Sequence, residues 1–386
     1  MIMRGIYLDN NATTPLDPRV REAMLPYLTD LFGNPSSAHR YGEEARLGLE
    51  QAREQVATLA GCAPGQLLFT SGGSEGNNTA IWCAAWADPG KRHMISSAVE
   101  HPSVLGPLRF LADRFGYEIE LLPVDNDGGL DPDRLARALR PDTALVSLMA
   151  ANNETGVLWD LEQLGALCRT KGVLCHSDMV QLAGKMPIQA DAALPVDYIS
   201  LASHKLHGPK GCGALFVRRG APVTPLIMGP GQENGRRAGT ENVAGIVGFG
   251  MACELAAQAL PEAEPRIRAL RDGLEAALLA DIDGVRINGR NQPRLPNTIN
   301  VSFEHCSSAM LIQELDEHGL AVSAHSACQS GDLDPSHVLA AMAIPETFLH
   351  GTLRISMSRF TTREETELLL AALATAVKKA RTGLAM

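Results

Sequence analysis

The sequence predicts an α/β protein: a large domain on a mainly parallel sheet covered by helices on both faces, followed by a smaller α+β domain. Two observations carry this. Between residues 66 and 217, short apolar runs alternate with helix-length amphipathic ones, the pattern of strand–helix crossovers that a parallel sheet requires. Beyond Leu260-Pro-Glu-Ala-Glu-Pro265 the pattern changes to alternating strands separated by helices. A chain of 386 residues is also long enough for two cores.

In order, strands are predicted at 66–70, 93–97, 118–122, 143–149, 173–177, 197–201 and 212–217. Helices are predicted between them at 74–87, 103–114, 131–139 and 160–171. A helix over 240–257 leads to the proline-flanked break at 260–265, and a second helix follows at 266–280. The smaller unit then shows strands at 297–303 and 352–358 with helices near 308–318 and 363–383. The expected division is 15–260 for the large domain, with 1–14 and 261–386 forming the small one.

Chemistry concentrates at the carboxyl ends of the predicted strands, where ligands of such sheets bind. Asp178 closes one strand, and Lys205 follows the next in Ser-Leu-Ala-Ser-His-Lys205. A lysine and a carboxylate on neighbouring strand ends suit pyridoxal phosphate: the amine can bond the aldehyde and the acid can keep the pyridine nitrogen protonated. Thr70-Ser-Gly-Gly73-Ser74 lies between a strand and a helix, where backbone N–H groups and the helix dipole favour a phosphate. Ser74 can serve both as N-cap and as phosphate ligand. Neither a P-loop nor a dinucleotide fingerprint is present. His101 is placed to stack on the ring and move protons. Gln181, three residues after Asp178, is a donor for the ring oxygen, and Asn153 is a further candidate for that oxygen or for orienting substrate.

The net charge of −10 argues against nonspecific nucleic-acid binding, which needs a basic excess. No uninterrupted apolar stretch reaches the roughly 20 residues of a membrane span, and the N-terminus lacks signal-peptide architecture; a cytoplasmic location is expected. The 8 cysteines show no Cys-x-x-Cys spacing, so neither a disulfide framework nor a metal site is expected. Cys328 differs from the others, lying in the small, polar run His325-Ser-Ala-Cys328-Gln-Ser-Gly-Asp, the composition of a surface loop.

Eight segments extend this reading in chain order: Asp9-Asn-Asn-Ala-Thr-Thr-Pro15, Phe32-Gly-Asn-Pro-Ser-Ser37, Glu100-His-Pro102, Asn152-Asn-Glu-Thr-Gly156, Asp178-Met-Val-Gln181, His204-Lys205, Gly235-Arg-Arg-Ala-Gly-Thr-Glu-Asn242 and Ser326-Ala-Cys328. Together they resemble the cysteine desulfurases of nitrogen fixation and iron–sulfur cluster assembly, within the class V aminotransferase-like, fold-type I pyridoxal phosphate enzymes. The resemblance runs from about residue 6 to 370. It implies conversion of L-cysteine to L-alanine, with sulfur passed to Cys328 as a persulfide for an acceptor such as an iron–sulfur scaffold protein. It also implies that Lys205 is the cofactor-bound lysine, His101 the acid–base residue, His204 and Ser74 phosphate ligands, and Arg354 the grip on the substrate carboxylate. Thr240 falls where the family reaches the phosphate of a neighbouring subunit, which implies a homodimer.

Two positions depart from the family pattern. Ala202 stands where a phosphate-binding serine is usual, with Ser203 one place later, so either Ser203 substitutes or a hydrogen bond is lost. Ser74 replaces the usual threonine and keeps its hydroxyl. The alternative activities are those of another enzyme of this class, a selenocysteine lyase or a transaminase; a transaminase has no use for the thiol of Cys328. A non-catalytic copy of the fold would be free to lose Lys205, Asp178, His101 or Cys328, and all are present.

Overall fold

The structure, a computed structural model, describes residues 5–190, 194–324 and 336–383. All seven strands predicted for the large unit join one sheet, in the order Leu67–Thr70, Gly213–Val217, Tyr198–Ala202, Leu174–Asp178, Thr143–Ser147, His93–Ser97, Glu118–Leu122. Gly213–Val217 runs antiparallel to both of its neighbours, and the remaining pairs are parallel. Five of the seven strands are buried at every position, as expected when helices cover both faces. The helix Gly73–Ala87 lies so close to the sheet that a Cβ on Gly76 would meet Ser200 Oγ at 2.9 Å.

The second unit contains the antiparallel sheet Thr352–Ser356, Thr298–Phe303, Val285–Ile287. A short parallel pair, Ile6–Tyr7 with Leu320–Ala321, returns the N-terminal segment to this unit. Separate apolar clusters underlie the two sheets. One joins Val56, Leu67, Ile199, Phe216 and Phe249; the other joins Leu8, Leu278, Ile299, Val301, Phe303 and Leu373.

The predicted break at 260–265 is not observed. A single helix, Val243–Asp281, runs through Pro261 and Pro265. Both prolines are exposed and lie four residues apart, on one face of the helix. The carbonyls that lose a donor therefore face water, and the usual proline penalty is softened. The rod joins the two cores, with Phe249 packed in one and Leu278 in the other. It is long and apolar enough by composition to cross a membrane, but 61% of its apolar window is buried inside the fold. Two helices that the alternation did not reveal, Pro18–Thr29 and Arg40–Ala60, pack against it.

Candidate active site

The parallel strands Leu174–Asp178 and Tyr198–Ala202 are neighbours, with Asp178 opposite Ser200 in register. Their carboxyl ends therefore bring Asp178 and the Ser203–Lys205 turn to one edge. A cleft of about 180 Å³ opens there, lined by Gly73, Ser74, His101, Asn153, Asp178, Gln181, His204, Lys205 and Arg354. Nine of the positions singled out from sequence thus meet in one place.

Asp178 is fixed at both oxygens. Its Oδ1 accepts from the backbone N–H of Val180 at 2.9 Å, and its Oδ2 accepts from Asn77 Nδ2 at 2.7 Å. The same Asn77 amide donates to Ser103 Oγ at 2.8 Å, and Ser103 Oγ lies 2.7 Å from His101 Nδ1. His101 caps the helix Pro102–Phe115, its Nδ1 accepting from the Ser103 backbone N–H at 3.1 Å. That contact requires Nδ1 to be unprotonated, which leaves the proton of a neutral ring on Nε2. Burial lowers the His101 pKa, with Lys205 and His337 adding to the effect against Asp178. Neither Asn77 nor Ser103 was singled out from sequence. The available signal was Asn77 itself, a poor helix former within a predicted helix; its full burial shows only in the structure.

Lys205 Nζ donates to the backbone carbonyls of Asn11 and Ala12 at 2.6 and 2.8 Å. The Asp9–Pro15 segment thereby forms part of the cleft wall. Gln181 Nε2 donates to the same Asn11 carbonyl at 2.9 Å. A second lysine, Lys185, donates to Gln181 Oε1 at 2.7 Å and to Asn11 Oδ1 at 3.1 Å. Burial, then the like charges of Lys205 and Arg354, push Lys185 well below the usual lysine range. Sequence reasoning passed over it because a lysine following Gly184 carries no local signal.

At the glycine-rich turn, Gly72 has φ +154° and Gly73 begins the helix. A Cβ on Gly73 would stand 2.6 Å from Val180 Cγ2, so only glycine lets the helix start this close to the cleft. Ser74 and the first N–H groups of the helix form an anion-binding end. His204 lies beside it with Nδ1 3.1 Å from Thr13 Oγ1. Burial and then Lys205, Lys210 and Lys185 press its pKa down to about 4, so it is neutral at neutral pH.

Arg354 comes from the other unit, on the strand Thr352–Ser356, and is 1% exposed. Its Nη2 pairs with Asp9 Oδ1 at 2.7 Å, and its Nη1 donates to the Asn153 carbonyl at 3.2 Å. Its Nε has no partner among the described residues. The guanidinium is thus held in place with donor capacity left for a carboxylate.

Two expected residues, Ser203 and Thr240, are not in the cleft. Ser203 is fully buried, and its Oγ lies against Gly208, where an added Cβ would stand 2.0 Å away. Ala202, and not Ser203, lines the cleft; successive side chains around a strand end point to opposite faces. The expectation that Ser203 substitutes for the missing serine is therefore not supported. Thr240 is exposed, outside the cleft. Cys328 lies outside the described residues. Of the remaining cysteines, Cys62 is half-buried and the other six are buried, and none lines the cleft.

The donor set suits pyridoxal phosphate. It combines a lysine amine, a fixed carboxylate for a pyridinium nitrogen, an amide donor, an imidazole and a helix N-terminus carrying a hydroxyl. Among the described residues, no group of three or more metal-binding side chains competes with this reading.

Comparison with known proteins agrees. The family model for aminotransferase class-V matches residues 6–369. A cysteine desulfurase of Enterobacter agglomerans is 47% identical over 381 residues, covering 98% of this chain and 94% of that protein. The cysteine desulfurase NifS of Azotobacter vinelandii is 46% identical, covering 94% of this chain and 90% of its own. Among solved structures, a NifS-like protein superposes with a TM-score of 0.90 at 37% identity, covering 97% of this chain and 100% of that one. A structure described as SspA in complex with cysteine gives a TM-score of 0.81 at 33% identity, covering 92% and 100%.

Proposed function

The chain belongs to the aminotransferase class-V family and is a cysteine desulfurase, and from that premise we propose how its residues divide the work. The convergence of Lys205, Asp178, His101 and Arg354 in one cleft carries the proposal. Pyridoxal phosphate is the cofactor. Lys205 holds its aldehyde, Asp178 its ring nitrogen and Gln181 its ring oxygen. Ser74, the Gly73 backbone and His204 hold its phosphate. When bound, the cofactor supplies an electron sink that stabilises negative charge at the substrate α-carbon.

The protein's own groups do the rest. Arg354 receives the carboxylate of L-cysteine, and Asn153 orients the substrate beside it. The Lys205 amine removes and returns the α-carbon proton. His101, neutral and half-buried, handles the proton of the substrate thiol through Nε2. The Cys328 thiolate attacks the substrate sulfur: an S–S bond forms as the Cβ–S bond breaks, the bonding pair stays with the substrate carbon, which takes up a proton on the way to alanine, and a persulfide is left on Cys328. Supporting that assignment, the described residues flanking its segment are hydrogen-bonded beside the cleft. Ser323 Oγ accepts from Arg354 at 3.3 Å, and Ser336 Oγ donates to Glu154 at 2.5 Å.

The large unit is proposed to be residues 15–260 and the small one 1–14 with 261–386, a division supported by the separate cores. Thr240 is proposed to reach the cofactor phosphate of a second subunit in a homodimer. Its exposure supports this, as do the apolar side chains of Leu28, Phe32, Leu47 and Met228, each over 60% exposed. The persulfide passes to a sulfur-acceptor protein, such as an iron–sulfur scaffold, in the cytoplasm.

The test is incubation with L-cysteine followed by mass spectrometry of the Cys328 peptide, which gains one sulfur atom. Cys328→Ser abolishes alanine release and leaves the visible absorbance of the bound cofactor intact, whereas Lys205→Ala loses that absorbance. Alanine turnover by the Cys328→Ser protein would sink the persulfide route.

A further inference from the structure

Resting on the reading that Gln181 donates to the cofactor's ring oxygen, we infer that Lys185 is the positioning residue that makes Gln181 a donor there. A glutamine amide presents either an acceptor oxygen or a donor NH2 group, and side-chain rotation by half a turn exchanges them. In this structure both ends are assigned by their partners. Oε1 receives Lys185 Nζ at 2.7 Å, and Nε2 faces the Asn11 carbonyl, which can only accept.

These two constraints are unequal. The Asn11 carbonyl is already engaged by Lys205 at 2.6 Å. The Gln181 NH2 group carries two N–H bonds, so it can meet the ring oxygen with or without Asn11, whereas the amide oxygen is kept out of the cleft by its contact with Lys185. Lys185 donates in either protonation state, because an amine carries N–H bonds whether or not it is charged.

Lys185 is itself held. Its second contact is Asn11 Oδ1 at 3.1 Å, and that oxygen also receives Asn297 Nδ2 at 3.1 Å. Asn11 Nδ2 is bound in turn to Thr298 Oγ1 at 2.9 Å. The amine is thus tied through Asn11 to the start of the strand Thr298–Phe303, a rigid support of the kind that fixes a ligand-binding side chain. Among the described residues, neither hydrogen-bond partner of Lys185 is a carboxylate, so its replacement by Met strands no buried acid. Met also fills the stem's apolar surroundings.

The test is a double-mutant cycle read on the visible-absorbance pH titration of the cofactor-loaded protein. Gln181→Ala removes the donor and moves the titration midpoint upward by about one pH unit, a tenfold change in the equilibrium. Lys185→Met gives most of the same shift, and the double variant moves no further than Gln181→Ala alone. Lys185→Arg, which also only donates, retains the wild-type midpoint. Equilibrium dialysis of pyridoxal phosphate gives an independent readout with the same expected pattern. Fully additive shifts mean that Lys185 acts by its charge through space, and the inference fails. It fails equally if Lys185→Met leaves the midpoint unchanged while Gln181→Ala moves it. If Gln181→Ala moves nothing, the assignment of Gln181 is wrong and the inference falls with it.

Discussion

Asn77 holds Asp178 from the helix that also begins at the phosphate end of the cleft, through a 2.7 Å hydrogen bond to Oδ2. Its second proton reaches Ser103, which binds His101. One amide therefore fixes both the proposed ring-nitrogen partner and the proposed acid–base histidine. Asn77→Ala removes a hydrogen bond to a charged group, worth about 1.5–3 kcal/mol. Cofactor affinity is expected to fall by roughly 10–100-fold, measured by dialysis against pyridoxal phosphate. Unchanged affinity and turnover would show that Asp178 needs no support.

Arg354 is expected to set the affinity for the substrate carboxylate. Arg354→Lys keeps the charge but loses the planar fork. The KM for cysteine should rise by roughly 10–100-fold on the same energy scale, with cofactor absorbance unchanged. An unaltered KM would move the carboxylate site elsewhere.

Ser203→Ala should leave cofactor affinity as it is, because Ser203 Oγ is buried against Gly208 and has no hydrogen-bond partner among the described residues. The comparison is direct: dialysis of both proteins against the cofactor. A several-fold loss of affinity would restore Ser203 as a phosphate ligand.

Glu100 gives a pH dependence of stability. Burial pushes its carboxyl up to about 8, against hydrogen bonds from Met149 N–H and Ser97. From the ordinary carboxylate range up to about 8, the folded protein keeps a proton that the unfolded chain has released. Stability therefore falls as pH rises through that window, by at most about 1.4 kcal/mol per unit for this group, and levels off above it. Glu100→Gln should flatten that slope and be the more stable protein at alkaline pH in urea unfolding. A slope that persists unchanged in the variant would rule Glu100 out as its source.

Ser336 caps the helix His337–Ala341, accepting from Val338 N–H at 3.1 Å, and donates to the buried Glu154. Ser336→Ala loses the cap and strips Glu154 of a donor, costing about 1–2 kcal/mol. Chemical denaturation measures it. No loss of stability would mean that neither bond contributes on folding.

Much of this protein was already legible in its residues. The seven strands of the main sheet follow from apolar alternation, and Asp178 and Lys205 at strand ends, with Gly73 and Ser74 at a helix start, name the chemistry before any comparison. The helices Pro18–Thr29 and Arg40–Ala60 escaped that alternation, and the prolines at 261 and 265 pointed to a break that does not occur. Whether a proline ends a helix depends on which face it occupies, and only packing decides the face.

What sequence alone determined is local: residue types, their period and their position at the ends of elements, all set by backbone sterics and short-range patterning. Tertiary structure decided the contacts between segments far apart in the chain. It brought Arg354 to Asp9, Lys185 to Gln181 and Asn11, and Asn77 to Asp178, and it turned Ser203 away from the cleft while Ala202 faced it. A hydrogen bond depends on the separation and angle of two side chains in space, and that geometry exists only after the two sheets and the helix Val243–Asp281 have packed.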